Sequence, residues 1–290
     1  MKLTNNHNLP APLVSAISND GYFNPCDIGT TTLISSPRIS ALRWRNNIVE
    51  DASDLIYPLL GQALHAVLER AKAPNCIMEW RFSNYIFDWW VSGQIDVYEG
   101  DIKTLSDYKL TSIWVSKMKE PAKPEHVAQM NVNKYLIENS IYADFVPIEN
   151  LQIVNILRDW SKMQVIRDAK YPKKQIYIQH VPVWPKEVVE QYIFMRVLLH
   201  QEARLIPSDE LIECTPEERW EKPTKYAVMK KGRKSAIRVL DSNEDAERYI
   251  EHRGLDDKHY INIREGESTR CEHYCSVNKF CNQYKKVGGE

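Results

Sequence analysis

At 290 residues, with 43% apolar side chains and with eight Trp and fifteen Tyr, the chain can fill a sizeable core, which excludes a disordered or low-complexity protein. Its formal net charge of -1, from 38 basic and 39 acidic residues, excludes a chain that is basic throughout, so any polyanion would have to be held by a local patch. Six cysteines are too few for a disulfide scaffold.

The opening stretch MKLTNNHNLPAPLVSAISND is interrupted by Asn and Pro before an apolar run of signal-peptide length forms, and no later stretch approaches the roughly 18 apolar residues of a spanning helix. A soluble, cytoplasmic protein with no membrane partner is therefore expected. Residues 1 to 45 are polar and punctuated by Pro10, Pro12, Pro25 and Pro37, so they read as an arm with one short helix near Ile39 to Arg45. From Glu50, EDASDLIYPLLGQALHAVLERA carries Leu55, Leu59, Ala63 and Val67 at helical spacing, with Ser53 as the expected N-cap and Pro58 in the first turns.

Cys76 to Phe82, Asp88 to Tyr98 and Ile102 to Lys109 read as three strands of an antiparallel meander, the last turn being Glu99-Gly100-Asp101. A polar loop with Pro121 and Pro124 leads to a helix over EHVAQMNVNKYLIEN, and LQIVNILRD follows as an apolar strand. Beyond it come a strand at Gln175 to Val183 and a helix from Pro185 to Arg204. After Pro207 the text changes to a hairpin around Lys231-Gly232, a capped helix SNEDAERYIEHRG closed by Gly254, and a strand HYINIREG. Three segments result: an arm at 1–45, a core at 46–205 and an extension at 206–290.

The stretch GQIDVYEGDIKTLSDYKL concentrates the chemistry. Strand parity puts Asp107 and Lys109 on one face, and folding the hairpin about Gly100 brings Asp96 opposite a residue near Thr104, within a few positions of Asp107. Two carboxylates supply hard oxygen ligands for Mg²⁺ or Mn²⁺, and a lysine beside them can serve a bound water or hold charge developing on phosphorus. An Asp-x-Lys alone is ordinarily a solvated strand face. His65, one helical turn after Gly61, adds an imidazole from the preceding helix, and Glu79 in IMEWRF adds a further carboxylate.

Taken in order, GQALH, IMEWRF, GQID, DYK and a glutamine on the next helix resemble the PD-(D/E)XK nuclease superfamily in its RecB-like branch, which includes lambda-type exonucleases and the CRISPR adaptation nucleases. SSPRISALRW and the tail CTPEERWEKPTKYAVMKKGRK resemble phage-encoded proteins of that branch over nearly the whole chain, which would set the protein in a host cytoplasm. The resemblance implies an α/β, restriction-endonuclease-like core of helix, three-stranded meander, helix and strand. It further implies that His65, Asp96 and Asp107 hold the metal with the backbone carbonyl of Tyr108, that Lys109 is the catalytic lysine, and that Gln129 contacts DNA or positions that lysine. Asn133 stands where the branch has a tyrosine, and the nearest one, Tyr135, lies about 200° round the helix.

RCEHYCSVNKFCNQY brings Cys271, Cys275 and Cys281 into eleven positions, a cluster one ligand short of a four-thiolate site. The resemblance makes Cys214 the first candidate for the fourth and Cys26 the runner-up, and it favours a [4Fe–4S] cluster over structural Zn²⁺. In either case the metal is expected to staple the C-terminal segment into place. Cys76 reads as a core residue. Between Arg219 and Arg238 eight basic residues face one acid, Glu221, for a local +7, and the tip Lys230, Lys231, Arg233 and Lys234 would track a phosphate backbone.

The sequence thus points to a metal-dependent deoxyribonuclease, an exonuclease by resemblance, with DNA as its partner and self-association left open. The competing reading is a DNA-binding module on a nuclease fold, with little or no catalysis, that serves phage recombination or replication through partner proteins.

Overall fold

The segment from Cys76 to Leu157 builds the sheet on which the candidate site rests. Its strands are β1 (Cys76–Met78), β2 (Arg81–Ile86), β3 (Trp89–Gln94), β4 (Val97–Glu99), β5 (Thr104–Thr111) and β6 (Asn150–Leu157). The computed structural model describes residues 2–19, 26–117 and 122–286, and the chain divides into two units, Met1–Pro207 and Ser208–Glu290.

In the first unit β7 (Ile176–Val181) completes a five-stranded mixed sheet in the order β7-β6-β5-β4-β1. All its neighbouring pairs are antiparallel except β5 and β6, which run parallel from Thr104↔Asn150 to Thr111↔Leu157. Parallel neighbours need a crossover, and helix α3 provides it (Pro124–Glu138; α1 is Pro37–Arg45 and α2 is Ile56–Leu68). Met130, Val132, Leu136 and Ile137 of α3 pack with Leu105, Leu151 and Ile153 of the sheet and with Val189, Ile193 and Val197 of α4 (Lys186–Leu205). Each such fully buried side chain contributes roughly 1.5–3 kcal/mol.

The expected three-stranded meander is cut into five pieces. The first hairpin breaks at Glu79-Trp80 and Ile95-Asp96, where Glu79 has φ of 49°. It nevertheless keeps one register: Met78↔Val97 and Arg81↔Gln94 both sum to 175, and the hydrogen bonds Glu79 N–H to Asp96 O and Ile95 N–H to Trp80 O, each 2.9 Å, span the break. The second turn is longer than expected, a 3₁₀ turn at Gly100–Ile102 followed by Lys103 at φ 47°, so β5 starts at Thr104.

Two other expectations need correction. The arm is more ordered than its composition suggests: Lys2–Thr4 pairs in parallel with Val49–Asp51, Ile28–Gly29 pairs with Val91 and Ser92 of β3, and Ala11–Ser18 and Thr30–Leu33 are helical. Strands of two or three residues leave no period to read, and Pro12 sits in a first helical turn where its missing N–H costs nothing. Asp51, not Ser53, caps the turn before α2: its carboxylate accepts from the Ser53 N–H at 3.1 Å. Pro25 and Pro121 lie outside the described residues, and a short helix at Lys162–Arg167 was not expected.

The second unit is built on β8 (Lys225–Lys230), flanked by antiparallel β9 (Arg238–Leu240) and β10 (His259–Arg264). Helix α5 (Asn243–His252) starts where Ser242 Oγ accepts from the Asp245 N–H at 3.1 Å, and Gly254 takes the positive φ of 56° that closes it. Among the described residues no helix is long and apolar enough to cross a membrane. The fold is mixed α/β.

Candidate metal centre

Strand register decides which acids meet. The pairs Val97↔Ser106 and Tyr98↔Leu105 sum to 203, which carries Asp96 opposite Asp107, while the first hairpin sets Glu79 opposite Asp96. Glu79, Asp96 and Asp107 therefore form one row across three neighbouring strands. Asp96 is directly opposite Asp107, a closer meeting than the position near Thr104 expected from a tight turn, because the longer turn shifts the register.

Helix α2 adds His65 from one side. Its Nδ1 lies 2.8 Å from Glu79 Oε1 and 3.8 Å from Asp96 Oδ1. His65, Glu79 and Asp96 each offer a ligand atom, and the three atoms lie within 4.8 Å of one another. The hydrogen bond to Glu79 raises the imidazole above its ordinary value; burial opposes this, and the Asp96 charge adds to it.

Asp107 belongs to a second cluster that adjoins the first. Lys109 Nζ donates to Asp107 Oδ1 at 3.0 Å and lies 2.9 Å from Oδ2, and Gln129 Nε2 reaches Oδ1 from α3 at 3.4 Å. Burial works against the Lys109 ammonium, but the charge and hydrogen bond of Asp107 more than offset it and raise the lysine. The Tyr108 backbone N–H donates to Asp96 Oδ2 at 2.6 Å. Burial first, and the Asp107 charge second, push the Asp96 carboxyl up to about 7.

These residues fit a divalent cation by their chemistry. Three carboxylates and an imidazole are the donor set that suits Mn²⁺, or Mg²⁺ with fewer nitrogen contacts. Asp107 Oδ2 is buried against the Lys109 ammonium at 2.9 Å, and burial first, with the Asp107 charge second, drives Asp96 towards its neutral form. A cation beside Asp96 would favour its charged form.

His65, Glu79, Asp96, Asp107, Lys109 and Gln129 are thus brought together, with Glu79 more central than the sequence suggested. Asn133 is buried and donates to the Gln94 carbonyl at 3.2 Å, and its Oδ1 occupies the place where a Cβ on Gly93 would be, 2.2 Å away. Tyr135 points to Glu190 instead, with its hydroxyl 3.5 Å from Oε1. The sequence reading missed Gln94, Arg81 and His126. The first two sit beside Glu79, and His126, one turn before Gln129, is pushed down to about 4 by burial and then by the Lys109 charge.

In the second unit the C-terminal cysteines are neighbours. Burial raises the Cys271 thiol, and Cys275 and Cys281 add to it. Asn278 ties their backbones together, donating from Nδ2 to Cys271 O at 3.0 Å and from its N–H to Cys275 O at 3.2 Å. Gln283 holds the Cys214 backbone from both ends, accepting from its N–H at 2.8 Å and donating to its carbonyl at 2.9 Å. Cys214 therefore shares the unit and the neighbourhood of the other three, whereas Cys26 belongs to the first unit. Among the described residues no three of these sulfurs lie within 4.8 Å of one another. A single tetrahedral Zn²⁺ with bonds of about 2.3 Å would hold them roughly 3.8 Å apart.

The basic stretch is narrower than its residue count. Lys222 pairs with Glu267, Lys225 with Asp241, and Arg219 with Glu221. Lys230, Lys231, Arg233 and Lys234 at the hairpin tip remain exposed and, among the described residues, pair with no carboxylate. The Lys231 N–H to Lys258 O bond of 2.8 Å brings a further lysine to that tip.

No family model matches the chain, and no curated protein matches it. Among solved structures the crystal structure of SSO0001 is similar at 14% identity and a TM-score of 0.43, over 64% of this chain and 84% of that one.

Proposed function

We propose that the chain is a divalent-metal-dependent deoxyribonuclease, with a PD-(D/E)XK core of the RecB-like branch in its first unit, and that it acts on DNA ends as a phage-type exonuclease. The observation that carries the reading is the row Glu79, Asp96, Asp107 across three strands, with His65 at one end and Lys109 at the other. A solvated hairpin face would not bury Asp96 and Asp107.

Mn²⁺ or Mg²⁺ held by His65, Glu79 and Asp96, with Asp107 beside them, would neutralise a phosphate and lower the pKa of a bound water. Lys109, kept as an ammonium by Asp107, then holds charge that develops on a phosphate oxygen. Gln129 orients Asp107 from the other side through its amide. In the second unit the exposed tip Lys230, Lys231, Arg233 and Lys234 gives salt-dependent affinity for the DNA backbone without base reading.

The same reading assigns a [4Fe–4S] cluster to Cys214, Cys271, Cys275 and Cys281, with structural Zn²⁺ as the alternative. Support comes from the shared unit of all four cysteines.

End-labelled linear DNA and closed circular DNA, each incubated with purified protein in Mn²⁺ or in chelator, test the function. Metal-dependent loss of linear DNA is expected, with circles spared and with Lys109→Ala inactive. Cleavage that persists unchanged in Lys109→Ala would sink the site assignment, and DNA binding without cleavage under any condition would favour the binding module.

A further inference from the structure

Glu79 is held from two sides. One carboxylate oxygen, Oε1, meets His65 Nδ1 at 2.8 Å, and the other, Oε2, accepts from Gln94 Nε2 at 2.9 Å. The Gln94 amide cannot turn round, because its Oε1 accepts from Arg81 at 2.7 Å and a guanidinium only donates. The Asn133 amide pins the Gln94 carbonyl at 3.2 Å, so the backbone of this residue is fixed as well as its side chain. Glu79 needs such support: its φ of 49° is a backbone conformation that a non-glycine residue keeps only when its surroundings impose it.

Resting on the metal reading above, we propose that Gln94 is a positioning residue: its amide, oriented by Arg81, turns one carboxylate oxygen of Glu79 to His65 and Asp96 and thereby sets the divalent-cation affinity of the centre. Groups that hydrogen-bond a metal ligand commonly tune affinity by about 10–100-fold, because they fix the ligand's orientation before the ion arrives. Gln94 and Arg81 touch neither the ion nor a substrate in this scheme. They act through Glu79 alone.

Titration of the purified full chain with Mn²⁺, followed by calorimetry and by the electron paramagnetic resonance of the ion, tests this without any turnover. The relevant binding event is the one that His65→Ala removes. Gln94→Met, close in volume but without either hydrogen bond, is expected to weaken it about 10–100-fold while leaving the metal-free melting temperature within a few degrees of wild type. Arg81→Met should weaken it less, and the double variant should bind no worse than Gln94→Met, since both losses act through one carboxylate. A Gln94→Met protein that binds Mn²⁺ like wild type overturns the positioning role and leaves the metal reading standing. A wild type that binds no Mn²⁺ overturns both. If Gln94→Met does not fold, Arg81→Met carries the same test, and unaltered affinity there overturns the proposal.

Discussion

Glu79 and Asp96 face each other across a hairpin whose register runs unbroken through a strand break, and His65 Nδ1 lies 2.8 Å from the first and 3.8 Å from the second. That relationship makes Glu79 a member of the candidate centre.

Glu79→Gln keeps the shape but removes a charge and one acceptor oxygen. It is expected to weaken Mn²⁺ binding at least about tenfold, in line with the cost of disturbing a ligand shell. Asp107→Asn, which removes the partner of Lys109, is expected to cost more in turnover than in Mn²⁺ affinity. Unchanged affinity in Glu79→Gln beside a loss in Asp107→Asn, measured by calorimetry, would show that Asp107 and not Glu79 anchors the ion.

The raised Asp96 carboxyl makes metal-free stability depend on pH. Unfolded, Asp96 ionises near 3.8; folded, it does so at about 7, so the folded state binds more protons between those values and its stability falls as pH rises through that window. His65, also raised, contributes stability that is present below its ordinary value and lost as pH rises through its folded value, which has the same sign. In chelator, Asp96→Asn should therefore gain on wild type by up to about 4 kcal/mol between pH 4 and 8, read from urea midpoints. Mn²⁺ should reverse the order at pH 8, stabilising wild type alone. A pH-independent difference between the two proteins would contradict the assignment.

Gly93 is required by close approach. A Cβ there would lie 2.2 Å from Asn133 Oδ1, 2.9 Å from Thr30 Oγ1 and 3.0 Å from Leu136 Cδ1. Gly93→Ala should cost about 1–3 kcal/mol, typical of overpacking. Asn133→Ala added to it should recover part of the loss, and simple additivity in denaturation would argue against the contact.

The cysteine quartet separates its two candidate metals by colour. Anaerobically purified protein should show a broad visible absorbance that Cys281→Ser abolishes and air bleaches. A colourless protein that carries zinc by elemental analysis would select the alternative. In either case loss of the metal should destabilise the segment Ser208–Glu290, because binding free energy at such a site is folding free energy.

Much of this molecule was legible before its structure. Periodicity marked α2 and α3, a helix-start proline marked α4, the apolar run marked β6, and parity placed Asp107 with Lys109, because each signal lies within one element. The short strands of the first 45 residues were invisible, since Ile28–Gly29 is a strand only because Val91 and Ser92 are beside it. Lys222 and Lys225 looked available and are not, because Glu267 and Asp241 come from distant positions in the chain.

By itself the sequence determined which residues could do chemistry and which faces they share: His65 one turn past Gly61, and Asp107 and Lys109 two apart on a strand. Only the tertiary structure decided which of them meet. Register across a hairpin depends on how many residues the turn consumes, which is not written in side-chain spacing. A turn extended to Lys103 moved Asp96 directly opposite Asp107, and one unbroken register made Glu79 and Gln94 part of the same centre.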